Sequence, residues 1–180
     1  MTTAAAPVFE RPTSDEHSPY YSKYIDLIPE GDVMDLLERQ ADELPAFLRG
    51  IPADRHDHRY AEGKWSVKEV IGHLSDTERV FAYRALRFAR GDRTELPGFD
   101  ENAYTPAGEF GRRDWESLVE EWLSVRRASL SLLRGLPPEA AARRGPANGQ
   151  DISVRALAYI MAGHVVHHTR LLRERYLGDS

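Results

Sequence analysis

The sequence predicts an all-α protein, a four-helix bundle with a long crossover loop between its second and third helices. Three observations carry that prediction. Four segments repeat apolar residues at helical spacing over lengths that cross a small domain, and nothing reads convincingly as a strand. One connection, residues 91–113, is too long to join antiparallel neighbours and suits a return along the bundle, so the third helix is expected roughly parallel to the second.

The first helix is expected over about residues 32–48, with Val33, Leu36, Leu37, Leu44, Phe47 and Leu48 as its stripe. Pro45 removes a backbone donor, so a kink or break is expected near 41–45, and Gly50 and Pro52 end the helix. The second starts at Ser66, where Ser66 and Glu69 have capping-box spacing, and runs to Arg90 before Gly91. Val67, Val70, Leu74, Phe81, Ala85 and Phe88 form its buried face. The long connection that follows contains Pro97, Gly98, Pro106, Gly108 and Gly111 and shows no regular pattern. The third helix spans about 114–134 around Trp115, Leu118, Trp122, Val125, Leu132 and Leu133, and its charges, including Glu120, Glu121, Arg126 and Arg127, read as a solvated face. Residues 145–149, Gly-Pro-Ala-Asn-Gly, have turn chemistry, and Ser153 caps a fourth helix reaching about Leu177.

Composition narrows the function. The 180 residues are 41% hydrophobic and 29% charged, as in a soluble globular protein. A formal charge of -5 gives no basic field for phosphate backbones, so nucleic acid is not an expected partner. No apolar run suits a membrane span. The chain has no Cys, which removes disulfides, thiolate nucleophiles and Cys-ligated metals and fits a reducing, cytoplasmic setting. Residues 1–19 lack the basic and apolar regions of a secretory signal and read as a poorly ordered arm before a single domain over 20–180.

Three of the seven histidines stand out. His164 and His168 are one helical turn apart on the apolar face of the fourth helix, with Leu157, Met161 and Leu172. His73 lies at the edge of the buried stripe of the second. Burying a polar group without a partner costs about 1–3 kcal/mol, and several charged imidazoles would cost far more. A divalent ion shared by neutral rings removes that cost, and three protein ligands leave positions open for water or substrate, the catalytic pattern. Spacing alone leaves open that these are ordinary core histidines, and His167, at i+3 from His164, competes as a ligand. His17, His56 and His58 read as solvated.

Two blocks resemble a known family. Residues 59–74, RYAEGKWSVKEVIGHL, resemble the first metal-ligand block of the DinB-like superfamily, and residues 158–168, AYIMAGHVVHH, resemble its second. Residues 97–104, PGFDENAY, are similar to a loop of the YfiT-like branch, described as metal hydrolases. The resemblance covers most of 20–177. It implies a four-helix bundle binding a divalent ion, often nickel or zinc, through His73, His164 and His168. It also implies a homodimer, and relatives that transfer low-molecular-weight thiols (bacillithiol or mycothiol), isomerise with mycothiol, or are described as hydrolases.

The leading expectation is therefore a metal-dependent enzyme acting on a small molecule, of the thiol S-transferase type, with the cofactor supplying the thiolate that this Cys-free chain cannot. Hydrolysis by a metal-activated water is the alternative. No Glu lies near His164 on its helix face, so Asp100 or Glu101 would serve as base only if their loop folds over the site. A non-catalytic, metal-stabilised stress or interaction protein is the third. Thr77 and Arg84 project from the second helix in nearly the direction of His73 and are the cofactor-binding candidates, with packing or solvation as the alternative for each. Asp76 is a candidate acceptor for a ligand imidazole N–H. Tyr159, Ala162, Gly163 and Val166 on the fourth helix are expected to form a dimer contact, their small side chains admitting another helix.

Overall fold

A computed structural model describes residues 9–178. The long helices are α2 (Val33–Arg49), α3 (Val67–Ala89), α5 (Trp115–Arg134) and α6 (Val154–Leu171). Short helices α1 (Ser22–Ile25) and α4 (Glu101–Ala107) flank the bundle. Strands β1 (Arg144–Ala147) and β2 (Gln150–Ser153) form an antiparallel hairpin. Among the described residues, no helix is long and apolar enough to cross a membrane.

The caps lie where the sequence puts them. The Ser66 hydroxyl accepts from the Glu69 amide at 3.3 Å, while Glu69 accepts from the Ser66 amide at 2.6 Å. Asp32, Asp114 and Ser153 cap α2, α5 and α6 in the same sense. Contrary to expectation, α2 is unbroken at Pro45, which forfeits one backbone bond without ending the helix. The fourth predicted helix stays α-helical to Leu171 and widens into a π-helix over Leu172–Leu177.

Cross-helix contacts give the directions. Along α3 and α5, Arg79 meets Glu121 at 2.7 Å, and one groove further on is walled by Leu86 and Leu132, so the two helices run parallel, as the crossover predicts. Helix α6 runs against α3: the Tyr176 hydroxyl donates to the Trp65 carbonyl at one end, and Phe88 packs on Gly145 at the other. Helix α2 opposes α5, with Arg49 bonded to Glu116 and Arg134 to Glu38.

The bundle interior is divided. One apolar core holds Leu37, Phe81, Leu130 and Ala162; the other holds Leu44, Leu74, Trp122 and Val165. Between them, on all four helices, the chain places polar groups. Arg126 of α5 is fully buried and donates to both carboxylate oxygens of Glu78 on α3, at 2.7 and 2.8 Å. It also donates to Gln40 of α2 at 2.7 Å, and Gln40 donates to the Ala162 carbonyl of α6 at 2.9 Å. This corrects the assignment of Arg126 to the solvated face. Its spacing from Val119, Trp122, Ser129 and Leu133 puts it on the buried stripe, where a paired charge is tolerated.

Three other expectations change. Residues 144–153 form a hairpin because Asn148 and Gly149 both take positive φ, 53° and 74°, as a two-residue type I′ connection requires. The connection 91–113 is not structureless. It carries α4, a 3-10 turn over Phe110–Arg112 and a bridge from Leu96 to Ala147. The arm, expected to be poorly ordered over 1–19, is packed from residue 9: Phe9 and Glu16 are buried. Burial alone would raise the Glu16 carboxyl, but hydrogen bonds from Arg155 and Ser153 and from the Thr13 backbone hold it down to about 2. Residues 1–8 of the arm lie outside the described residues.

Helix α1 covers the very stripe expected to form a dimer contact. A Cβ on Gly163 would collide with the Tyr24 carbonyl, and Tyr159 and Ala162 are buried. Small residues there do admit a close neighbour, but the neighbour is this chain's own α1.

Candidate metal centre

Helix α3 supplies His73, and α6 supplies His164 and His168, all three buried. Antiparallel packing of α3 on α6 brings residues 91 positions apart into contact. His164 stands at the corner: its Nε2 is 3.0 Å from Nε2 of His73 and 3.0 Å from Nε2 of His168. The rings meet at 67–81°, so nitrogens converge rather than ring faces.

These residues fit a divalent cation. A neutral Nε2 carries either a proton or one in-plane lone pair, so His164 cannot satisfy two imidazole neighbours together. Two Nε2 pairs are 3.0 Å apart and all three ligand atoms lie within 4.8 Å of one another, which suits one shared ion such as zinc, bound by imidazole nitrogens at about 2.0–2.1 Å. The Thr77 hydroxyl lies 3.3 Å from Nδ1 of His73 and turns the Nε2 of that ring toward the centre. Nδ1 of His168 is buried with no hydrogen-bond partner among the described residues, a cost that coordination at Nε2 would offset.

Burial keeps all three rings neutral. It pulls His73 down to about 4, with a smaller push from His167. Burial first, and neighbouring imidazoles second, hold His164 and His168 well below 6.5. In metal-free protein the unfolded chain therefore takes up protons near pH 6.5 while the folded chain does not. Stability falls as pH drops through 6.5 toward about 4, where His73 begins to charge in the fold as well. Glu16, lowered from 4.5 to about 2, contributes fully above its unfolded value, and that contribution is lost only as pH falls from about 4.5 toward 2. Urea midpoints of chelator-treated protein are expected to decline between pH 7 and 5, and a flat profile there would contradict the burial of neutral rings.

The cluster opens on a cavity of about 400 Å³. The three histidines, Trp65, Tyr24, Arg84, Phe99 and Glu101 all line it. The connection 91–113 thus does fold over the site. Glu101 reaches the cavity, whereas Asp100 is spent capping α4, accepting from the Asn102 amide at 2.9 Å. The hairpin tip closes the wall because Asn148 bonds the Leu96 carbonyl and its side chain packs where Gly98 has none.

Thr77 is buried against His73, and Arg84 is buried on the cavity wall. His167 lines the cavity, half-buried, with its ring on Tyr24 and His168, and lies outside the converging trio. Asp76 accepts from no imidazole and pairs with Arg79 at 3.5 Å instead. His17 is buried, and His56 stacks on Trp115 at 3.6 Å and bonds the Ile51 carbonyl, so neither is solvated as expected. His58 is half-buried, its ring edge-on to Tyr176. Sequence reasoning missed Tyr20, Tyr21 and Tyr24 as cavity walls, because nothing in an arm's composition announces where it docks.

The family model of the DinB superfamily matches residues 36–172. The chain belongs to the DinB superfamily. The matched span of this DinB-superfamily chain contains all three histidines and every long helix but the first turn of α2. Its fold is similar to that of YfiT from Bacillus subtilis, described as a probable metal-dependent hydrolase with an unusual four-helix bundle topology. That match has a TM-score of 0.68 at 20% identity and covers 95% of each chain. No functionally curated protein matches the sequence.

Proposed function

We propose that this chain is a divalent-metal-dependent enzyme acting on a small molecule, with His73, His164 and His168 as ligands. The observation that supports it is three buried Nε2 atoms converging at the wall of a cavity large enough for a substrate. A bound zinc or nickel ion supplies Lewis acidity, lowering the pKa of a water or thiol at its open positions.

The chain's own groups favour hydrolysis. Glu101 is the carboxylate whose absence from α6 counted against that reaction, and it lines the same cavity. It takes the proton of the attacking water and returns it to the leaving group. Thr77 orients His73, and aromatic side chains line the cavity beside it. The description of YfiT as a probable hydrolase agrees with this order. Thiol S-transfer with bacillithiol or mycothiol is the second reading, favoured by a chain without Cys, since the sulfur must then come from a cofactor. A homodimer in a reducing, cytoplasmic setting completes the proposal, with its contact elsewhere than on Tyr159 and Gly163.

The test is an assay of zinc- and nickel-loaded protein against activated esters and amides, with and without thiol plus an electrophile. Thiol-independent cleavage that Glu101→Gln lowers by roughly 10²–10⁴ supports hydrolysis. Turnover only with thiol supports transfer. Inertness in both, with a large metal-dependent rise in stability, overturns the enzyme in favour of a metal-stabilised interaction protein.

A further inference from the structure

Two arginines of the described chain are buried to within a few per cent of full enclosure, and they are treated differently. Arg126 meets Glu78 with two parallel hydrogen bonds. Arg84, only 3% exposed, has no carboxylate within 4.0 Å among the described residues. One of its nitrogens donates to the Pro97 carbonyl at 2.9 Å, and its guanidinium lies 5.8 Å from the Phe81 ring. The Tyr21 hydroxyl also lies within hydrogen-bonding reach of the guanidinium, and none of the Arg84 nitrogens is sealed from solvent without a partner, so the N–H groups left over face the cavity it lines. A buried cation without a counter-charge is costly, and an arginine cannot shed its proton to escape that cost.

We propose that Arg84 binds the carboxylate of the substrate, so that the cavity takes a small organic acid with an apolar body. Arg84 lies eleven residues beyond His73 on α3, about 16 Å along the axis and within about 20° of the same direction. One cavity connects both, so a ligand held at Arg84 extends toward the histidines. Tyr21, Phe81 and Phe99 line the space around its chain, which suits methylenes or a ring. The planar fork of Arg84 matches a carboxylate with two parallel bonds. Glu101, lining the same cavity, disfavours a doubly charged phosphate more than a singly charged carboxylate. The inference rests on the proposed function only in taking this cavity as the substrate chamber.

The test uses octanoate and octanamide, equal in shape and different in charge, titrated calorimetrically into metal-free protein. Octanoate is expected to bind roughly ten- to a hundredfold more tightly. That preference should vanish in Arg84→Met and be partly kept in Arg84→Lys, which retains the charge without the fork. Circular dichroism checks that each variant is folded, and either variant alone suffices if the other is not. Equal affinities in the wild type, or a preference that survives Arg84→Met, would overturn the proposal. Because no metal is present, octanoate selectivity in a protein that fails to bind zinc would defeat the metal reading and leave the carboxylate site standing.

Discussion

His164→Ala is expected to weaken zinc or nickel binding by more than roughly a hundredfold, since loss of an outer hydrogen-bond partner of a metal ligand already costs about 10–100-fold. His164 is the choice because its Nε2 is the atom to which both other rings point. The readout is direct. A metal at about a hundred times its Kd stabilises the fold by about 2.7 kcal/mol, so the unfolding midpoint of the wild type should rise on metal addition and that of the variant should not. His167→Ala is the control, because His167 lies outside the trio and should keep the metal-induced rise. A rise preserved in His164→Ala but lost in His167→Ala would place the ion elsewhere.

The second large effect lies in the bundle centre. Glu78→Ala is expected to cost about 3–5 kcal/mol, because it leaves the guanidinium of Arg126 buried beside Leu37 and Trp122 without its carboxylate. Removing both charges is different. Glu78→Leu combined with Arg126→Met should cost far less than Glu78→Ala, and a gain in stability is within the range such replacements give. Denaturant unfolding of the single and double variants measures the difference. A single variant within about 0.5 kcal/mol of wild type would mean that water reaches the pair.

The four long helices and their caps were legible because each is set by local chemistry: an oxygen at the cap position, apolar residues at 3.6-residue spacing, a glycine beyond the end. The histidine trio was legible only in part from local chemistry. A one-turn spacing on α6 brings two rings to one face, and the resemblance of residues 59–74 to a metal-ligand block singles out His73 as the third. What escaped was decided by tertiary contact. Arg126 carried the right periodicity but a charge that argued for water, and only the presence of Glu78 and Gln40 reverses that. Glu101 is a candidate in the sequence only on the condition that its loop folds over the site, and Tyr24 is not one at all, because both sit on segments whose docking depends on distant partners, the hairpin tip for one and the bare backbone of Gly163 for the other. Asn148-Gly149 reads as turn chemistry, but the strands on either side are only four residues long, include Pro146 and show little alternation, so the hairpin itself was not legible.

The interlocked side chains between the two apolar cores also fix which arrangement of four rods this sequence accepts. Sliding α5 by one turn, about 5.4 Å, would carry Arg126 past both Glu78 and Gln40 and set a naked charge against leucine. Greasy surfaces alone tolerate such a slip, since one leucine substitutes for another. Gln40, Glu78, Arg126 and the carbonyl of Ala162 do not, so they act as a key that admits one alignment of all four helices. With that alignment set, the imidazole nitrogens of α3 and α6 can converge only in one way, and the positions of His73 and His164 follow from a lock nearby on the same helices.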